Sequence, residues 1–147
     1  MALSTQLAKL LDVDVVHMSS VQGGDVAVAY RVELADGRVV FAKTKPDAHP
    51  EFVPTEAAGL AWLREAGAVS VPEVIAVSGD PPILVIEWIE TGHPVSDTET
   101  SLGRSLAALH GTGAYRLGRE DRRTTGSRGL PNEPNDDWGL FYAENRL

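Results

Sequence analysis

Lys43 stands at the end of an apolar run, Val39-Val40-Phe41-Ala42-Lys43. Strand alternation puts it on one face with Phe41, opposite Ala42 and Thr44. An ammonium group turned toward an apolar layer needs a carboxylate or phosphate partner. Turned outward, it is a solvated strand-end lysine. Glu56 offers the partner, because it precedes Leu60 and Leu63 by one and two helical turns and shares their stripe. A carboxylate on an apolar stripe is costly unless paired. The competing readings are that Glu56 only adds negative charge to a helix N-terminus, or that Glu51 is the partner.

Two further features lie where a phosphate-bearing ligand needs them. Gly23-Gly24 sits between two strand-like runs, where the missing Cβ atoms let backbone N–H groups approach phosphate oxygens. The same pair also serves as a plain hairpin turn. Ile86-Glu87-Trp88-Ile89 carries an apolar strand into a connector. There free backbone C=O and N–H groups can supply the acceptor and donor that an adenine edge requires, although an ordinary connector reads the same way. A lysine on a third strand and a glutamate on the following helix form the charge pair that positions nucleotide phosphates in kinases.

The elements that must position these groups follow from hydrophobic periodicity. Residues 4–11 form a short helix with Ser4 as its N-cap. Residues 13–21 and 26–34 form strands, the second alternating through Val26, Val28, Tyr30, Val32 and Leu34. Ala35-Asp36-Gly37-Arg38 makes the turn into a third strand ending at Lys43. Residues 55–66 form a helix closed by Gly67, residues 71–77 a fourth strand, and residues 83–86 a fifth, wholly apolar one. Beyond a connector over 87–94, Ser96 and Glu99 match a capping box for a helix carrying Leu102, Leu106 and Leu109. Residues 112–137 carry five arginines and little periodicity, which predicts a long, irregular and mobile loop. Another helix begins at Asp137-Trp138.

The chain has 147 residues, 43% of them hydrophobic, enough for one ordinary domain or two small lobes. Its net charge of −8 argues against general nucleic-acid binding. It contains no cysteine, which excludes disulfides, thiolate catalysis and cysteine–zinc sites. His17, His49 and His93 lack metal-ligand spacing, and Gly79-Asp80-Pro81 reads as a turn. No targeting segment is visible and no run approaches the roughly 18 apolar residues of a membrane span. The expected location is cytoplasmic, without a membrane partner.

Phe41-Ala42-Lys43, Thr55-Glu56-Ala57-Ala58-Gly59-Leu60, Val71-Pro72-Glu73-Val74, Leu84-Val85-Ile86-Glu87-Trp88-Ile89 and the run from Leu102 to His110 together resemble the fructosamine (ketosamine) kinases. The most specific part is Gly129-Leu130-Pro131-Asn132, then Asp136-Asp137-Trp138-Gly139-Leu140-Phe141-Tyr142, then Arg146-Leu147. The resemblance spans nearly the whole chain. It implies an α+β protein-kinase-like fold. Residues 1–91 would be the N-lobe, a five-stranded antiparallel sheet with one helix. Residues 92–147 would be the beginning of a helical C-lobe.

The resemblance implies ATP-dependent phosphorylation of a sugar hydroxyl on a ketosamine, with Mg²⁺. In it Gly23, Gly24, Lys43, Glu56, Glu87 and Ile89 bind the nucleotide. The family's catalytic loop, His-Gly-Asp-Leu-Trp…Asn, and its metal-binding Asp are expected downstream. This chain is therefore expected to be a truncated front half that cannot catalyse alone. Arg116, Arg119, Arg122, Arg123 and Arg128 either contact an anionic substrate or form a solvated loop. Trp138 and Phe141 are expected as packing anchors rather than a sugar platform. The stripe of Leu102, Leu106, Leu109 and the Trp138–Phe141 turn is expected to be exposed and to support self-association. Two other readings stay open: a kinase of the aminoglycoside or choline type, and a non-catalytic nucleotide-binding or interaction module.

Overall fold

Leu7 and Leu10 recur at helical spacing, and in a computed structural model of the chain they place the helix α1 (Leu3–Leu11) against a sheet, with Leu7 wholly buried. The structure describes residues 2–23, 26–119, 124–125 and 128–147. Ala2 occupies the N-cap of α1 without a side-chain cap bond. Ser4 therefore falls inside the first turn, which corrects its assignment as the cap. Asp12 takes a left-handed conformation (φ 53°) and ends the helix.

Strands β1 (Val15–Val21), β2 (Val28–Leu34), β3 (Val39–Thr44), β4 (Val74–Gly79) and β5 (Pro82–Glu87) form one antiparallel sheet in the order β1-β2-β3-β5-β4. Its two faces bury different sets. Val32, Val40, Ala42, Ile83 and Val85 pack with α1. On the other side Leu84, flanked by Ile86 and Val74, packs with the helix α2 (Phe52–Glu65) through Phe52, Val53 and Ala57. The expected alternation along β2 holds for Val32 and Leu34 and fails at its start. Val26 lies before the strand, and it and Val28 are about half exposed.

Helix α2 begins three residues earlier than its sequence pattern indicates. Pro54 lies in its first turn, where the missing N–H would have had no intrahelical partner. The early start gives the helix two buried anchors, Phe52 and Val53. Residues 88–95 after β5 are irregular. The helix α3 (Thr98–Gly111) has Asp97 at its N-cap, with no side-chain cap bond. Starting at Thr98 leaves Ser96 outside and Glu99 only second in the helix, so the Ser96/Glu99 capping box does not form. Instead the Val95 amide donates to Thr98 Oγ1 at 2.8 Å.

The described parts of the arginine-rich segment include regular backbone pairing. Leu117 and Asn135 form an antiparallel bridge, and β6 (Thr124–Thr125) pairs with β7 (Arg128–Gly129). Helix α4 (Trp138–Arg146) follows, with Asp137 Oδ1 accepting from the Leu140 amide at 2.8 Å. Among the described residues no helix is long and apolar enough to cross a membrane.

Candidate functional site

Residues directly opposite in an antiparallel sheet share a face. One row runs Val21, Ala29, Lys43, Leu84, Val77, and three residues along β5 lies Glu87, opposite Val40. Lys43 and Leu84 are thus on the α2 face, with Phe41 opposite Ile86 and Arg31 opposite Phe41. The turn after Val21 lies at the Lys43 end of the sheet. The exit of β5 lies about 10 Å further along the strand. A ligand with a planar head and an anionic tail can span these two points.

Lys43 Nζ donates to both carboxylate oxygens of Glu56, each at 2.9 Å. The side chains are 25% and 34% exposed, so the pair is shielded but still reached by water. The ring of Phe52, one turn before Glu56 on α2, lies 5.6 Å from Lys43 Nζ. The sequence pattern alone assigns Phe52 to a loop. The spacing 52, 56, 60 would have placed it on the Glu56 stripe, had the helix been extended through Pro54. Thr44 Oγ1, buried beside Lys43, donates to the Pro82 carbonyl at 2.7 Å and joins the end of β3 to the start of β5. Glu51 is exposed and takes no part in the pair; its amide donates to His49 Nδ1 at 3.2 Å.

Gly23 has φ +128° and open space where a Cβ would stand. Gly24 lies outside the described residues. At the other end the Glu87 amide donates to the Glu73 carbonyl at 2.9 Å, and its carboxylate accepts from the Glu73 amide at 3.3 Å. No helix forms over 87–89, and Ile89 is largely exposed. Trp88 is held from both sides. Its Nε1 donates to Glu90 Oε1 at 2.9 Å, and Arg31 Cζ lies 5.5 Å from its ring centroid. Arg31 also pairs with Glu33. Among the described residues no group of three or more His, Asp and Glu side chains could hold a metal.

The remaining expected residues separate. Arg116 pairs with Asp136 at 2.8 Å, and Arg119 lies over Trp62, so both are engaged within the chain. Arg122 and Arg123 lie outside the described residues, as does the Arg128 side chain. Phe141 is buried as an anchor, whereas Trp138 is 61% exposed. That corrects its expected packing role: Trp138 touches Phe141 and Tyr142 at ring distances of 5.9 and 5.7 Å from the outer side of α4. In α3 no residue is buried, and Leu102 and Leu106 are exposed.

Comparison with known proteins gives a consistent result. A family model described as fructosamine kinase matches residues 1–147. A probable ketoamine kinase of Synechocystis is 33% identical over 132 residues, covering 87% of this chain and 44% of the relative. The chloroplastic protein-ribulosamine 3-kinase of Arabidopsis thaliana is 30% identical over 139 residues, covering 90% of this chain and 42% of the relative. A solved structure provisionally described as a fructosamine-3-kinase, from Thermobifida fusca, superposes with a TM-score of 0.83 at 31% identity. It covers 99% of this chain and 51% of that one. The chain thus spans about half the length of the relatives it matches. The architecture is the α+β, protein-kinase-like one.

Proposed function

The chain belongs to the fructosamine kinase family, and from that premise we propose that it is the nucleotide-binding portion of an ATP-dependent kinase that phosphorylates a sugar hydroxyl on ketosamines. The observation that carries the reading is the Lys43–Glu56 pair, closed at 2.9 Å on the face of the sheet that leads to the exit of β5. A part-exposed ion pair contributes little net stability. Its value here is positional, since Glu56 holds the ammonium group where phosphate oxygens can receive it. Lys43 would take the α- and β-phosphates, and the turn at Gly23 and Gly24 would cover them. The Glu87 carbonyl and Ile89 amide would receive the adenine edge. Residues 1–91 are the N-lobe and 92–147 the start of the helical lobe in this reading, with the protein acting in the cytoplasm. Magnesium supplies charge neutralisation of the triphosphate when bound.

General-base and metal chemistry are assigned to the portion that the longer relatives possess. Transfer to a positioned hydroxyl loses typically 10²–10⁴-fold without its base. The 147-residue chain should therefore bind Mg·ATP weakly, lose that binding on Lys43→Ala, and release no ADP in response to a fructosylated amine. Fructosamine-dependent ADP release by this chain alone, abolished by Lys43→Ala, would overturn the division of labour. In the natural gene product, turnover of a fructosylated amine in preference to choline or an aminoglycoside supports the substrate class. The opposite preference refutes it.

A further inference from the structure

The polar groups of the segment around Asn132, Phe141 and Arg146 are heavily used. Arg119 sits at the centre of what they fasten. Its amide donates to the Asn132 carbonyl at 2.9 Å, and its carbonyl accepts from Asn132 Nδ2 at 3.1 Å. Asn132 Oδ1 is in turn held by Arg146 Nη2 at 2.8 Å, while Arg146 Nη1 donates to the Pro131 carbonyl at 2.6 Å. The Arg146 guanidinium lies 4.9 Å from the Phe141 ring centroid. Buried Asn145 fixes the next residue along, accepting from the Glu133 amide at 2.7 Å and donating to the Phe141 carbonyl at 3.0 Å. On the other flank Leu117 and Asn135 exchange amide bonds at 3.0 and 2.9 Å.

Gly118 completes the clamp. It has φ +79°, and a Cβ there would stand 2.6 Å from Phe141 Cε2 and 2.8 Å from the Asn132 carbonyl oxygen. The backbone on either side of Arg119 is thus set from several directions. This leaves the guanidinium 4.7 Å from the ring centroid of Trp62. Trp62 is on α2, six residues after Glu56 and about 9 Å along the helix axis. Trp62 also borders a groove of about 510 Å³ whose far wall is Leu109, His110 and 112–114, at the end of α3.

We infer that residues 117–119 and 131–135, together with α4, form a brace that presses Arg119 onto Trp62 and thereby holds α2, with Glu56, against the sheet. Arg119 and Trp62 are positioning residues for the Lys43–Glu56 pair. The inference rests on the nucleotide-binding reading of that pair. Helix α2 is packed on the sheet through Phe52, Val53, Ala57 and Leu60, and these lie in its first three turns. Its last turn is tied by Arg64, whose Nη1 donates to the Val71 carbonyl at 2.8 Å, and the Arg119 stack on Trp62 adds a second contact there.

The test uses the 147-residue protein, with amide hydrogen exchange over α2 and Mg·ATP affinity as separate readouts. Arg119→Ala should speed exchange over residues 59–65 while leaving amides of the sheet core, such as Val32 and Val40, unchanged. It should weaken Mg·ATP binding roughly three- to tenfold, the scale of one cation–π contact. Trp62→Phe, which keeps a ring under the guanidinium, should stay near wild type, and Trp62→Ala should match Arg119→Ala. In a Glu56→Gln background Arg119→Ala should add no further loss of affinity, because the brace acts through Glu56. Unchanged exchange over α2 in Arg119→Ala, or an equal loss of affinity with and without Glu56, overturns the brace. Global loss of protection in Arg119→Ala would mean that the contact holds the whole fold, which also refutes a local role. If the wild-type chain binds no Mg·ATP, the nucleotide reading falls, and the exchange comparison alone decides the brace.

Discussion

The Lys43 ammonium group bridges both oxygens of the Glu56 carboxylate at 2.9 Å, joining the end of β3 to the second turn of α2. Two unrelated periodicities converge there. Alternation along β3 sends Lys43 to the face opposite Ala42 and Thr44, both buried. Helical spacing along α2 puts Glu56 beside Phe52 and Leu60, which pack toward that same face. The ring of Phe52 shields one side of the ammonium group. The pair is therefore pre-set by the apolar contacts of β3 and α2 and by the Thr44–Pro82 bond.

The first prediction separates position from stability. Lys43→Met should reduce Mg·ATP affinity by about tenfold or more, as expected for a lost charge-assisted contact to phosphate. Its effect on unfolding free energy should stay within about 1 kcal/mol, because a part-exposed pair contributes little net. Glu56→Gln should give a smaller loss of affinity, since Lys43 keeps its charge and loses only its guide. Titration of nucleotide binding beside denaturant unfolding reads both quantities. Equal affinity in Lys43→Met and wild type would remove the lysine from the nucleotide site.

A second prediction contrasts two glycines. Gly37 has φ +87° in the β2–β3 turn, and an added Cβ would meet nothing within 4 Å, so Gly37→Ala should cost only the backbone strain, about 1 kcal/mol. Gly118 has φ +79°, and an added Cβ would also meet the Glu133 carbonyl oxygen at 2.9 Å besides the Phe141 ring. Gly118→Ala should therefore cost roughly 2–4 kcal/mol, strain and overpacking together. Thermal unfolding of the two variants checks the order. A Gly118→Ala protein as stable as Gly37→Ala would show that the Arg119 segment yields easily.

What the sequence made legible follows the reach of each rule. The five strands, α2 and the Lys43–Glu56 pairing rest on periods of two and 3.6 and on a single strand-to-helix connection, all short-range signals. The start of α2 is harder to place because Pro54 reads as a loop residue, although a helix tolerates proline in its first turn. The order in the arginine-rich segment rests on Asn132, Asn145 and Arg146, whose side chains act on backbone groups distant in sequence. No local pattern announces such bonds. The same limit hid the Arg119–Trp62 stack. Between Trp138 and Phe141 hydrophobicity alone cannot say which faces inward; the fold buries Phe141 against Gly118 and leaves Trp138 outside.

The pH dependence of the β2–β3 turn gives a third prediction. Hydrogen bonds from the Arg38 side chain, and then its amide, hold the Asp36 carboxyl below its ordinary value of 3.8. A depressed folded-state pKa means that the carboxylate stabilises the fold above the unfolded value. That contribution is lost as pH falls through the lower folded value. The stability difference between wild type and Asp36→Asn should thus be constant well above the ordinary value of 3.8 and shrink as pH falls below it. A difference that grows on acidification would contradict the assigned direction. The pair is exposed, so added salt should shrink the difference at neutral pH as well.

The last prediction concerns the outer face of α3. Leu102 is 55% exposed and Leu106 41%, one turn apart on the same side of a helix with no buried residue. Removing an exposed leucine forfeits little packing, so Leu102→Ser with Leu106→Ser should lower unfolding free energy by less than about 1 kcal/mol. By contrast Leu7→Ala, at a fully buried position under the sheet, should cost about 2–5 kcal/mol. An exposed apolar stripe is also a surface that a second copy can cover. Sedimentation of the wild-type chain should therefore show concentration-dependent association that the double serine variant loses. If wild type and variant sediment identically as monomers across the same concentrations, the α3 stripe does not mediate self-association. If the double variant instead unfolds as readily as Leu7→Ala, those leucines are buried in solution and the exposed assignment of α3 is wrong.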